Sequence, residues 1–214
     1  MTNRQPLETW SLPTQATAEI ALAERVANRL RQGQAAILPA EGVYGVHLPA
    51  LAPAAAARLD RIKGYARPRP YILLVASLAA AERWVDVLAP AARAYLGRVW
   101  PGPVTALLPA AAVLPERLAP HGEVAVRCPG RRWLRALLDC LAEPLLSTSA
   151  NRAGEAPPAS LAAVADEVRR ACGLAVDGGP LAGVSSTIVR LGADGSTQIL
   201  RAGQGGADWG PDAP

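Results

Sequence analysis

No apolar run in this chain is longer than a buried strand requires, and that limit sets the fold class. Ala35 to Leu38, Tyr71 to Val75, Val104 to Leu108 (with Thr105 inside it) and Pro144 to Leu146 each stop within two residues at a proline or a hydroxyl residue. Alanine-rich stretches with helical spacing lie between them. From Thr17, Ile20, Ala23, Ala27 and Leu30 fall on one face and Gly33 is a stop signal. Pro53 opens a second helix ending near Lys63-Gly64, Ser77 caps one carrying Trp84, and Pro90 starts one running to about Trp100. Arg131 to Leu141 reads as helix, and Ser160 caps another to Ala171. Val43 to Val46, Glu123 to Arg127, Leu174 to Val176, Thr187 to Val189 and Ile199-Leu200 read as strands. Interleaved helices and strands give an α/β class. Some strand connections are too short for a crossover helix, so the sheet is expected to be mixed.

The 214 residues, half of them apolar and 19% charged, suit one globular domain. Residues 1–15, with two prolines and little periodicity, are expected to be a loosely docked arm. Residues 16–203 form the domain, and 204–214 form a frayed Gly/Asp/Pro-rich tail. No run approaches the roughly 18 apolar residues of a membrane span. The N-terminus lacks the charged-then-apolar pattern of a signal peptide, so a cytoplasmic location is expected. Cys128, Cys140 and Cys172 show neither zinc spacing nor a disulfide framework. Cys128, behind a strand, reads as a small core residue and not a nucleophile.

A net charge of +4 suits anionic small molecules or RNA. More telling is that one basic residue of 22, Lys63, is lysine and the other 21 are arginine. It marks either a site needing a compact ammonium or a cation complementing a helix C-terminus. The segment Gly64 to Pro70 follows it as an irregular basic loop containing Arg67 and Arg69.

The stretch Ser147-Thr148-Ser149-Ala150-Asn151 is reached from Pro144-Leu145-Leu146 and followed by Gly154 and Pro157-Pro158. It reads as a buried strand breaking into a tight polar loop. Hydroxyls and amides at a strand end suit a phosphate or carboxylate, and the same residues also form plain turns. Glu41 reads as a solvated turn residue, and Tyr44 as a wall of the pocket or core. His47 and His121 look isolated and receive no catalytic role.

Four segments line up in order: P-A-E-G-V-Y-G (Pro39 to Gly45), K-G-Y-A-R-P-R-P (Lys63 to Pro70), W-P-G-P-V-T (Trp100 to Thr105) and S-T-S-A-N (Ser147 to Asn151). V-R-C-P (Val126 to Pro129), S-S-T-I-V (Ser185 to Val189) and R-A-G (Arg201 to Gly203) complete the set. This order resembles the YrdC family of threonylcarbamoyl-AMP synthases from about Ala18 to Gly203. The resemblance implies a twisted mixed sheet flanked by helices around a basic concave pocket. It implies formation of threonylcarbamoyl-adenylate and pyrophosphate from threonine, bicarbonate and ATP, with Mg2+ accompanying the nucleotide and no protein-held metal site. Other proteins then transfer the threonylcarbamoyl group to tRNA. Carried over, Lys63, Ser149 and Asn151 match nucleotide and substrate positions, with Lys63 as the catalytic candidate. Arg67, Arg127, Ser147, Ser186 and Arg201 join them as candidate binding residues; Arg127 could equally be a surface residue.

Three positions depart from the family pattern. Ala40 and Gly42 replace hydroxyl residues, and Tyr65 replaces an arginine. They support a second reading, a non-catalytic paralogue that binds nucleotide, tRNA or double-stranded RNA in the same cleft.

Overall fold

The computed structural model describes residues 7–67, 69–192, 194 and 196–205. In chain order these form β1 (Glu8–Ser11), α1 (Ala16–Arg31), β2 (Ala36–Pro39), β3 (Tyr44–Pro49), α2 (Ala55–Lys63) and β4 (Ile72–Leu74). Then come α3 (Leu78–Ala81), α4 (Pro90–Val99), β5 (Val104–Pro109), β6 (Glu123–Arg127), α5 (Arg132–Leu141) and β7 (Leu145–Ser149). The last elements are α6 (Asp166–Ala171), β8 (Leu174–Asp177), β9 (Thr187–Leu191) and β10 (Thr197–Arg201).

The described strands make one ten-stranded sheet in the order β1-β8-β2-β3-β7-β4-β6-β5-β9-β10. It is mixed, as the short connections predict. β2–β3, β3–β7, β7–β4, β6–β5 and β9–β10 are antiparallel, while β1–β8, β8–β2, β4–β6 and β5–β9 are parallel.

Period-2 alternation sends consecutive side chains to opposite faces, and the two faces are covered differently. Ile37, Val46, Leu73, Leu146, Val126, Ala106 and Val189 enter one large core together with Leu59 and Ile62 of α2 and Tyr95, Leu96 and Val99 of α4. On the other face Ala36, Leu38, Leu74, Leu145, Leu174 and Val176 pack under α1 and α5. Helix α5 is strongly amphipathic: Trp133, Leu134, Leu137, Leu138 and Leu141 are buried at helical spacing. Leu134 and Leu137 are fully buried, and truncating either to alanine should cost about 2–5 kcal/mol. The α1–α5 pair reaches only one end of its face. The uncovered remainder is where the candidate site lies.

Several expectations are corrected. Residues 8–11 of the expected loose arm are an edge strand, aligned Glu8 to Leu174 and Ser11 to Asp177. Trp10 anchors this strand, with the Arg25 guanidinium 4.2 Å from its ring centre. E-T-W-S is too short to signal a strand; it forms because β8 offers an open edge of main-chain partners. Residues 1–6 and 206–214 lie outside the described residues, but Gln204 is docked, its amide donating to Ser185 O over 2.7 Å. Ile20 is half exposed, because α1 turns Leu22, Ala23, Val26, Ala27 and Leu30 inward and leaves Ile20 at the rim of that stripe. Ser160 caps only a short turn, Leu161–Ala163, before the separate helix α6. Trp84 lies beyond the single turn of α3.

Candidate functional site

The uncovered face forms the floor of a cleft of about 400 Å³. Gly45 of β3, Ser147 and Ser149 of β7, Ile72 of β4, Ala125 and Arg127 of β6, Leu107 of β5, Ile188 of β9 and Arg201 of β10 all line it. Their registers place them on one face: Gly45 opposes Ser149, Ile72 opposes Ser147 and Ala125, Leu107 opposes Ala125, and Arg201 opposes Ile188. Seven neighbouring strands therefore deliver the floor. Tyr65, Tyr71 and Pro70 form part of the wall, with Ala40 to Val43 and Ser185-Ser186 completing the lining.

Two guanidiniums dominate the charge. Arg127 is buried, and its Nη2 lies 3.2 Å from Glu41 Oε2. Arg201 donates through Nη2 to Ser186 O at 2.9 Å, and the Ser186 hydroxyl contacts Thr105 Oγ1 at 2.9 Å. Desolvation first, then the nearby Arg127, lowers the Arg201 pKa from its ordinary value. Two like charges held in one partly desolvated cleft favour an anion between them.

Glu41 is not the solvated turn residue its sequence context implies. Its side chain is 9% exposed, and Oε1 accepts from Gly130 N at 2.6 Å. The carboxylate thus tethers the β2–β3 turn to the loop after β6 and partly neutralises Arg127. Gly42 beside it is required: a Cβ there would lie 1.9 Å from Val184 O, and Gly183 N donates to Gly42 O at 2.8 Å. The segment carrying Ser185 and Ser186 rests directly on this glycine.

Ser147, Ser149, Arg127, Ser186 and Arg201 line the cleft as grouped from the sequence. Lys63 and Asn151 are brought together behind it. The Lys63 ammonium donates to Ser149 O at 2.7 Å, Asn151 Oδ1 at 3.0 Å and Ser149 Oγ at 3.4 Å. Desolvation lowers its pKa to about 8 against a smaller opposing effect of Glu155. Asn151 Nδ2 donates onward to the carbonyls of Arg152 and Glu155 at 2.8 and 2.7 Å. Ser147 and Ser149 belong to the strand itself, so the loop begins at Ala150. Arg67 is exposed and does not line the cleft, while the Arg69 guanidinium lies 5.9 Å from the Tyr65 ring centre. Tyr44 belongs to the core, its hydroxyl donating to Gly179 O at 2.9 Å and accepting from Gly178 N at 2.9 Å.

His47, with no role assigned from the sequence, is fully buried and contacts Ser147 Oγ through Nε2 at 3.1 Å. The strand register was the signal that could have found it, since His47 lies opposite Ser147 only once β3 pairs with β7. Cys128 is a core residue, as read: Sγ donates to Ala76 O at 3.3 Å and burial pushes its thiol up to about 11. Among the described residues no cluster of His, Cys, Asp and Glu could hold a metal, and no helix is long and apolar enough to cross a membrane.

The family model for the Sua5/YciO/YrdC domain, described as telomere recombination, matches residues 28–203. The chain belongs to the Sua5/YciO/YrdC family. A Xanthomonas euvesicatoria protein named threonylcarbamoyl-AMP synthase is 35% identical over 181 residues, 83% of this chain and 96% of that protein. A Pyrococcus abyssi protein of the same name is 33% identical over 164 residues, 76% of this chain and 48% of its own length. The chain thus spans about half of that relative. Among solved structures, P. abyssi Sua5 complexed with L-threonine superposes with TM-score 0.81 at 28% identity, covering 92% of this chain and 57% of that one. Escherichia coli YciO shares the fold, with TM-score 0.82 at 21% identity over 96% of this chain and 98% of its own. The family and the mixed α/β fold inferred from the ordered motifs are therefore correct.

Proposed function

We propose that this chain makes threonylcarbamoyl-adenylate from threonine, bicarbonate and ATP, releasing pyrophosphate. The observation that carries this reading is the convergence of Arg127 and Arg201 with Ser147, Ser149 and Ser186 in one cleft. The relatives' name, threonylcarbamoyl-AMP synthase, and the threonine-bound Sua5 neighbour support threonine as the amino-acid substrate.

In the reaction, the threonine nitrogen and the bicarbonate carbon join with loss of water to give a carbamate. A carbamate oxygen then bonds to the α-phosphorus of ATP as the bond to the pyrophosphate oxygen breaks. Both partners in the second step are anions, so the protein's task is to neutralise and align them. Arg127 and Arg201 supply fixed positive charge for phosphate or carboxylate oxygens, and the Ser149 and Ser186 hydroxyls orient them without adding charge. Magnesium fits as a companion of the polyphosphate, held by phosphates and water, because among the described residues the lining offers one carboxylate, Glu41, and that one is bound to Arg127 and Gly130. The adenylate would pass to proteins that modify tRNA.

A second reading, a non-catalytic paralogue binding nucleotide or RNA, draws on Ala40 and Tyr65, which line the cleft where the family pattern has a hydroxyl and a guanidinium. Pyrophosphate release from ATP separates the two. Release that requires both threonine and bicarbonate supports the synthase. ATP binding without release under any combination overturns it in favour of the binding protein.

A further inference from the structure

His47 lies beside Ser147, in the neighbouring strand of the cleft floor. The two residues are directly opposed in the β3–β7 ladder, so their side chains leave the sheet on the same face. Nε2 lies 3.1 Å from Ser147 Oγ, and Ser147 itself lines the cleft. The ring rests over Gly45, where a Cβ would come within 2.8 Å of Cε1. Glycine at that position gives the imidazole its room.

The pair is not a nucleophile and its base. Burial, and then the Arg127 charge, hold the imidazole pKa down at about 3. Taking the serine proton would create an imidazolium in a fully buried site beside a guanidinium, which that environment opposes. The imidazole is therefore neutral, with one N–H and one lone pair. The Ser147 hydroxyl can meet either. The main-chain groups acting on the ring are the carbonyls of Gly45 and Ala36, which only accept hydrogen bonds. Among the described residues Nδ1 has no hydrogen-bond partner. Nε2 faces Ser147 on β7, so Nδ1, on the opposite flank of the ring, faces β2, where Ala36 pairs with His47; a lone pair there would meet no donor, whereas a ring N–H there points to the side of an acceptor.

We propose that His47 is a positioning residue that carries its proton on Nδ1 and accepts the Ser147 hydroxyl hydrogen at Nε2. Ser147 then turns only lone pairs to the cleft, and these receive the amino group of the amino-acid substrate. The orientation of the hydroxyl stands on the geometry alone; the choice of an amino acid rests on the proposed function. Arg127 and Ser147 line the same cleft, on β6 and β7 with β4 between them, so a carboxylate bound by Arg127 brings the α-amino group of the same molecule toward Ser147. A hydroxyl hydrogen aimed into the cleft would repel that group.

Two measurements test this. The chain has two histidines, so nitrogen NMR of the 15N-histidine-labelled protein, assigned with His121→Gln, reads the His47 tautomer directly. Protonated Nδ1 with bare Nε2 at pH 7 is expected; protonated Nε2 overturns the proposal. Calorimetric titration then compares threonine with 3-hydroxybutyrate, which lacks only the amino group. Ser147→Ala and His47→Phe are each expected to weaken threonine about tenfold while leaving 3-hydroxybutyrate unchanged, and His47→Gln to restore part of the loss. Equal losses for both ligands overturn the amino-group assignment, as does a loss confined to ATP and absent for ITP. A wild-type protein that binds no threonine overturns the proposed function and the amino-group assignment together, while the tautomer still decides the hydroxyl orientation.

Discussion

The Lys63 ammonium and the Asn151 carboxamide oxygen, 88 residues apart in sequence, meet at 3.0 Å behind the cleft. The same ammonium reaches Ser149 O and Oγ, so the chain's one lysine holds the strand end and loop in place from beneath. Three rotatable donors around one nitrogen suit three acceptors spread about it, whereas a guanidinium directs its donors within a plane.

Lys63→Arg is expected to weaken ATP binding about tenfold, equivalent to roughly 1.4 kcal/mol, by displacing Ser149. It should also lower stability by about 1–3 kcal/mol, since acceptors fitted to an ammonium lose their partner. Titration calorimetry and urea unfolding check the two effects. Unchanged values in both would show that the site requires only a positive charge.

The single lysine makes its pKa directly measurable by NMR of the 13C-lysine-labelled protein. The signal should titrate near pH 8, below the ordinary 10.5. Because the folded pKa is depressed, the unfolded chain binds the extra proton between about pH 8 and 10.5, so this residue's contribution to stability rises with pH across that window. Ligand affinity should run the other way. Deprotonation removes a donor and the charge from beneath Ser149, so affinity should fall as pH passes 8. A lysine titrating above pH 10 contradicts both trends.

Glu41→Gln leaves Arg127 buried without its counter-charge. Urea unfolding should record a loss of about 3 kcal/mol, the usual scale for breaking a buried ion pair. Inorganic pyrophosphate should bind several-fold more tightly, because the freed guanidinium seeks an anion. Weaker pyrophosphate binding would mean that Glu41 holds Arg127 in its productive position instead of competing for it.

Gly42→Ser restores a hydroxyl that the family pattern carries, yet it should harm this protein. The new Cβ meets main-chain oxygen at 1.9 Å, so the segment around Val184 must move. Faster amide exchange at Ser186 and Thr187 and weaker ATP binding are expected. A variant with unaltered exchange would show that the segment repositions at little cost.

Tyr65→Arg adds a guanidinium to the cleft wall. Threonine-dependent pyrophosphate release should rise, because a phenol cannot supply a forked pair of donors to an anion. Turnover that stays level or falls would indicate that Arg69, already 5.9 Å from the Tyr65 ring centre, fills that role or that threonine is not the substrate.

How far the site was legible depends on the range of each cause. Ser147 and Ser149 are two apart in a strand, so alternation alone puts them on one face, and the motif order brought Arg127, Ser186 and Arg201 into the same group. Glu41 was misread because a Glu-Gly turn is normally solvated; its burial comes from Gly130 and Arg127, some 90 positions away in sequence. Composition singled out Lys63 but could not say whether its ammonium faces the ligand or the loop. The same limit applies to His47, which looks isolated until the β3–β7 register is known.

Local order follows from local chemistry. Apolar run lengths, helix-stopping glycines, capping serines and the order of the motifs are enough for the mixed α/β class, most of the helices and strands, and the family. They act over a few residues, through backbone preferences and side-chain period. Only the tertiary structure decided which end of one sheet face α1 and α5 leave bare, and therefore where the cleft lies. It also decided that Glu8–Ser11 closes an edge, that Lys63 supports Asn151 from behind, and that His47 meets Ser147. These depend on strand order and register between segments far apart in the chain, and pairwise alignment across a sheet is set by the packing of the whole core.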